Sequence, residues 1–88
     1  MKRKPKRDPM PPELREEVLR RDGYGCQARG IAPGRCTYGL EVHHLLARGR
    51  GGRHELDNLM ALCPHHHHWV TDHPAEAAEL GLNRRGYG

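Results

Sequence analysis

Cys63-Pro64-His65-His66 sets a thiol and an imidazole three residues apart, and Cys26 and Cys36 offer two more thiols upstream. Three thiols and one imidazole can close a tetrahedral Zn2+ site, because thiolates favour that ion among the common divalent metals. Closing it would tie the loop over residues 23–39 to the segment after residue 62, a stronger constraint than any other in the chain. The rest of the sequence needs such a staple. Of 88 residues only 35% are apolar, none is Phe, and 30% are charged. A chain of this size and polarity buries little surface, so a metal or a disulfide is expected to supplement its core. The odd cysteine count, and the absence of any apolar run long enough for a signal peptide or a membrane span, point to a cytoplasmic, reducing setting. There ligation is favoured over disulfides. The competing reading is three ordinary reduced cysteines, and the Cys26-x9-Cys36 gap is wider than a usual zinc knuckle.

The segment PPELREEVLRRDG predicts a helix from about Pro12 to Asp22. Proline suits its start, and Glu13, Glu16 and Glu17 lie toward the positive end of its dipole. Arg20 and Arg21 lie toward the negative end, with Gly23 placed to stop it. Leu14, Val18 and Leu19 form a narrow apolar stripe that has to pack on something. Residues 23–39, Gly-rich and interrupted by Pro33, read as a loop. LEVHHLLA, with Leu40, Val42 and Leu45, suits a strand; RGRGGRHELDN is a turn; LMAL is a second short strand. Pro64 opens a helix to about Asp72, and PAEAAELGL adds a last turn or two that Gly81 ends. Leu56, Leu59, Leu62, Trp69 and Val70 are expected in the core, His54 and His73 on the surface. No repeat or boundary divides the chain, so one folded unit over 13–83 is expected between an arm over 1–12 and a tail over 84–88.

The net charge of +4 is unevenly placed. Lys2, Arg3, Lys4, Lys6 and Arg7 stand against Asp8 in the arm, which is expected to be disordered. The remaining body carries ten Arg and ten acidic residues. A basic arm of this kind contacts nucleic-acid phosphates or simply solubilises the chain. Arg48, Arg50 and Arg53 surround three glycines in the turn after His44. Glycine lets backbone approach a phosphate and Arg binds it bidentately, so the turn reads as a DNA phosphate contact or as an exposed charged loop.

Two histidine groups carry the remaining chemistry. His43 and His44 are adjacent in a strand, so their side chains point to opposite faces and serve different roles. Hydrolysis of a phosphodiester takes a base to activate water and a cation to stabilise the developing charge. A neutral imidazole can be that base near pH 7. Read by itself, the pair is more simply a solvated strand end. The run His65–His68 lies on a helix, where consecutive side chains diverge by about 100° and cannot all serve one site. His66 is expected to face the cysteines and His67 the hairpin. His65 and His68 are left to solvent or phosphates, unless a shift of one residue exchanges either with its neighbour.

The order of LRRDGYGCQ, LEVHHLLARGRGG and ELDNLMALCPHHH over about residues 14–73 resembles the HNH endonuclease family, in particular its small zinc-bearing bacteriophage members. The shared parts are the basic helix ending in RDG, the VHH pair, R-x-R-G-G, L-x-N-L and the Cys-x2-His-His step. The resemblance implies a small α+β domain of the ββα-metal (His-Me finger) fold, a hairpin packed on a helix with one divalent cation between them. It makes His44 the general base and His43, in the position before it, a ligand of the catalytic cation. Asn58 becomes the central Asn that braces the hairpin loop and helps orient the base, and His67 the final His, a metal ligand on the helix. It also makes Cys26, Cys36, Cys63 and His66 the structural zinc ligands, although relatives commonly have Cys at the last position. Thr71 stands where many relatives carry a second helix histidine. A cation held by His43 and His67 alone would be completed by water and phosphate oxygens, which favours Mg2+ or Mn2+ and leaves Ni2+ or Zn2+ compatible. The implied activity is cleavage of DNA to leave a 3′-hydroxyl, in phage genome processing beside terminase subunits, with no membrane partner. A restriction or mobile-element nuclease is the second enzymatic reading. A non-cleaving zinc module that binds DNA is the reading from another class, and His44 separates them, since structural zinc binding has no use for it.

Overall fold

Two four-residue strands, β1 (Glu41–His44) and β2 (Leu59–Leu62), pair antiparallel with Glu41 opposite Leu62 and His44 opposite Leu59. They belong to a computed structural model that describes residues 10–47 and 51–84. Lys2, Arg3, Lys4, Lys6, Arg7, Arg48 and Arg50 lie outside the described residues, as does most of the tail. Helix α1 (Pro12–Arg21) precedes the hairpin, and helices α2 (Pro64–Asp72) and α3 (Pro74–Glu79) follow it. A two-stranded hairpin by itself is marginal in water. Here α1 and α2 both pack on it and α3 packs on α2, which is a small α+β arrangement.

The Arg-Asp-Gly step at the end of α1 fastens the outer edge of β2. Ala61 N–H donates to the Asp22 carboxylate at 2.9 Å, and Ala61 C=O accepts from Gln27 N–H at 2.9 Å. Both backbone groups of Ala61 are thereby satisfied away from β1, which closes an edge that would otherwise be open to pairing. Arg21 donates to the carbonyls of Leu56 (2.6 Å) and Leu59 (2.5 Å) while pairing with Asp22. The charges that read as helix-dipole partners in sequence thus also bridge helix and strand.

The core cluster joins Leu62, Val70, Ala77 and Leu82 to Ala28 and Ala32 of the loop, with Met60, Trp69 and Cys26 packed against it. Val18, Leu19 and Leu59 are buried as well. Leu56 departs from expectation at 37% exposure. It begins a 3-10 turn over Leu56–Asn58 that contributes its carbonyl to Arg21 and leaves its side chain outside. The strand at LEVHHLLA is also shorter than its apolar pattern: Leu45 N–H still reaches the Asn58 carbonyl at 2.9 Å, but Asn58 N–H turns back to Glu55 C=O at 2.8 Å, and the pairing stops at His44.

Helix α3 ends at Gly81, whose φ of +78° suits glycine. Leu82 N–H returns to Ala77 C=O at 2.9 Å and Gly81 N–H to Ala78 C=O at 3.1 Å, a Schellman turn. This turn seats Leu82 in the core at 2% exposure. Arg84, assigned to the tail in sequence, returns to the hairpin: its backbone N–H donates to Leu45 C=O at 2.6 Å and its guanidinium to Asp57 C=O at 3.0 Å.

Candidate functional site

Cys26 and Cys36 from the loop meet Cys63 and His66 at the start of α2. Among the described residues this is the one group of three or more possible metal ligands whose donor atoms all lie within 4.8 Å of one another. His66 Nδ1 stands 3.4, 3.6 and 3.2 Å from the sulfurs of Cys26, Cys36 and Cys63. The N···S edge of a tetrahedral zinc site with ordinary bond lengths is about 3.6 Å, so the donors fit that ion. His66 is fully buried, and its Nε2–H donates to Pro33 C=O at 3.1 Å, which leaves Nδ1 with the lone pair toward the thiols. Cys63 also caps α2, its sulfur accepting His66 N–H at 3.3 Å. Burial raises the Cys63 thiol, but the backbone N–H groups of His66 and Thr37 and the neighbouring thiols outweigh it and bring the pKa down to about 6. Cys36 goes the other way, up to about 11, through desolvation and then its hydrogen bonds to Cys63 and Cys26. The four side chains could hold one structural metal ion, in keeping with zinc.

The other histidines of the run separate around this site. His65 is exposed, with its ring edge-on to His66 at 5.1 Å and against Gly34. His68 is exposed and pairs with Asp72 at 3.0 Å. His67 turns toward the hairpin. Its ring meets that of His43 edge-on, 5.2 Å between centroids, and its Nδ1–H donates to Glu41 Oε1 at 2.7 Å.

On β1 the two histidines point apart, as strand alternation requires. His43 is buried at 7% exposure and its Nε2–H donates to Leu82 C=O at 2.9 Å. Burial, reinforced by the neighbouring His67 and His44 and opposed by that carbonyl, lowers its pKa to about 4, so it is neutral near pH 7. His44 is half-buried, with its Nε2 2.9 Å from Nδ1 of His54. His54, half-buried against it, is therefore not the surface histidine expected. Nor is His73, half-buried and stacked on Trp69 at 4.8 Å with Nδ1 bonded to Trp69 C=O.

Asn58, 6% exposed, bridges the two ends of the turn between the strands. Its Oδ1 accepts Leu46 N–H at 2.8 Å, and its Nδ2 donates to the carbonyls of Leu46 and Arg53, each at 3.1 Å. Gly52 lies so close to the Leu46 carbonyl that any Cβ there would overlap it. The Arg53 side chain is exposed at the outer rim of this turn.

The HNH endonuclease model matches residues 26–73, more than half of the chain. The chain belongs to the HNH endonuclease family. No curated protein and no solved structure matches it. The matched span of this HNH domain includes both strands, α2 and all four clustered Cys and His side chains, and family membership makes nuclease or DNA-binding activity its coarse function. Among the described residues no helix is long and apolar enough to cross a membrane. Three groups at the histidine site were not singled out from sequence: Glu41, His54 and the Leu82 carbonyl. A carboxylate two residues before the histidine pair was a usable signal for Glu41, since the strand period puts it on the face of His43. A backbone carbonyl leaves no signal of its own.

Proposed function

We propose that this HNH domain is a metal-dependent endonuclease that hydrolyses DNA phosphodiester bonds, with His43 and His67 holding one divalent cation and His44 acting as general base. The observation that carries this reading is the pairing of each facing imidazole through one nitrogen. His43 gives Nε2–H to Leu82 C=O and His67 gives Nδ1–H to Glu41. One ring nitrogen of each is then fixed as a lone pair, the arrangement that orients histidine ligands in metal sites. The low pKa of His43 keeps it ready to bind near neutral pH. When bound, the cation supplies stabilisation of the charge that builds on the phosphate and leaving oxygens.

The chain's own residues supply the rest. His44 takes a proton from the attacking water. Asn58 holds the turn that follows β1 and so fixes where the His44 backbone ends. Arg53, with Arg48 and Arg50 close to it in sequence, binds the DNA phosphates, and the basic arm adds sequence-independent attraction. Relaxation of supercoiled plasmid, followed against Mg2+ and Mn2+ concentration, tests the reading. Wild type should nick only with added cation, and His43→Ala and His67→Ala should lose nicking while keeping bound zinc. Cation-independent nicking, or undiminished nicking by both variants, would overturn it.

A further inference from the structure

We propose that His54 is a positioning residue for the base, accepting a hydrogen bond from His44 Nε2–H and so holding His44 with a basic Nδ1. The inference rests on the nuclease reading above for the direction of the hydrogen bond and its consequence; the contact itself is observed. The rings lie 5.0 Å apart at 48°, with the two nitrogens at 2.9 Å. A neutral imidazole carries one N–H and one lone pair, so this contact has two proton arrangements. If His54 Nδ1–H donates, His44 Nε2 is occupied as acceptor and its Nδ1 carries the proton, leaving no basic nitrogen. If His44 Nε2–H donates, its Nδ1 keeps the lone pair. Only the second arrangement suits a base.

The backbone holds the pair in register. Asn58 ties Leu46, two residues after His44, to Arg53, the residue before His54. Gly52 N–H donates to Ala47 C=O at 2.9 Å within the same bracket. The central Asn therefore orients the base partly through His54, by fixing the distance between the segments that bear the two rings. During attack an O–H bond of water breaks and an N–H bond forms at His44 Nδ1; the hydroxide oxygen bonds to phosphorus as the P–O3′ bond breaks, and the leaving 3′-oxygen takes a proton from solvent. No proton passes to His54. Its lone pair instead meets a charged donor once His44 is an imidazolium, and charge-assisted hydrogen bonds are the stronger kind.

Two readouts test this, using the full chain with zinc bound. Long-range 1H–15N spectra of the histidine rings report which His44 nitrogen carries the proton, whether or not DNA is cut. The expected result is an Nε2–H tautomer in wild type and a mixture in His54→Ala. In plasmid cleavage, His54→Ala should lower kcat about 10–100-fold, a fraction of the span of general-base catalysis, with KM nearly unchanged. His54→Asn, whose Oδ1 can stand where Nδ1 was, should recover most of that loss. An Nδ1–H tautomer in wild-type His44, or equal kcat for wild type and His54→Ala, would overturn the proposal. If wild type cut no DNA under any cation, the nuclease reading would fail while the ring spectra still decided the contact.

Discussion

Removing a metal ion held by Cys26, Cys36, Cys63 and His66 should unfold this domain rather than loosen one loop. Among the described residues eleven apolar ones are buried and four of these are alanine; the largest fully buried apolar side chains among them are Leu59, Leu62 and Leu82. A small domain has a net stability of about 5–15 kcal/mol, whereas a structural zinc held by Cys and His contributes about 10–16 kcal/mol at pH 7. The metal term is thus as large as the whole. Its ligands span residues 26 to 66 and join the loop that supplies Ala28 and Ala32 to the helix that supplies Val70. Cys63→Ser is the sharpest perturbation, because Cys63 is 1% exposed and also caps α2. The purified protein should carry one equivalent of zinc by metal analysis. A chelator stronger than the site should abolish the helical circular-dichroism signal and the cooperative melt, zinc should restore both, and Cys63→Ser should show neither at 25 °C. About 1 kcal/mol moves Tm by about 4–8 °C in a domain of this size. A metal-free chain melting within about 8 °C of the zinc form would limit the contribution to about 1–2 kcal/mol and refute the reasoning.

Asn58→Ala removes three hydrogen bonds from a buried side chain and strands Leu46 and Arg53 backbone groups. It should cost about 2–4 kcal/mol in urea denaturation, and a loss under 1 kcal/mol would contradict the bracing role. Glu41→Ala should weaken Mn2+ binding about 10–100-fold by calorimetry, as loss of a ligand's hydrogen-bond partner does, without altering zinc content; unchanged affinity would remove Glu41 from the site. His43 gives a pH dependence. Unfolded it titrates near 6.5 and folded near 4, so between those values the unfolded chain binds the extra proton and stability falls as pH falls. Full above pH 6.5, this contribution should drop by about 2 kcal/mol between pH 7 and pH 5. Wild type should show that added loss relative to His43→Asn, and parallel pH profiles would contradict it.

Local chemistry explains what the sequence revealed. Pro64 at the first turn opens α2 where the residues place it, and Gly23 and Gly81 stop their helices. The 100° step along α2 separates His66 from His67 without knowledge of any partner, and the thiol count anticipates the cluster. The parts that escaped depend on contacts between distant segments. Asp22 reads as the end of a helix, yet its carboxylate holds Ala61, 39 residues away. The partner of His43 is a main-chain carbonyl delivered by the turn at Gly81, and no side-chain identity encodes it. His54 lies in a glycine-rich turn whose path is set by Asn58 and by the close approach of Gly52 to Leu46, so its meeting with His44 has no periodicity to betray it.

In the proposed mechanism His44 does chemistry on a domain that folds without it. Supercoiled-plasmid cleavage with Mn2+ or Mg2+ by wild type and His44→Ala, at matched zinc content and melting temperature, tests that most directly. Wild type should convert the plasmid to nicked or linear form and His44→Ala should lose at least about 100-fold in rate, the lower range for a general base. Equal cleavage by the two proteins would contradict the account.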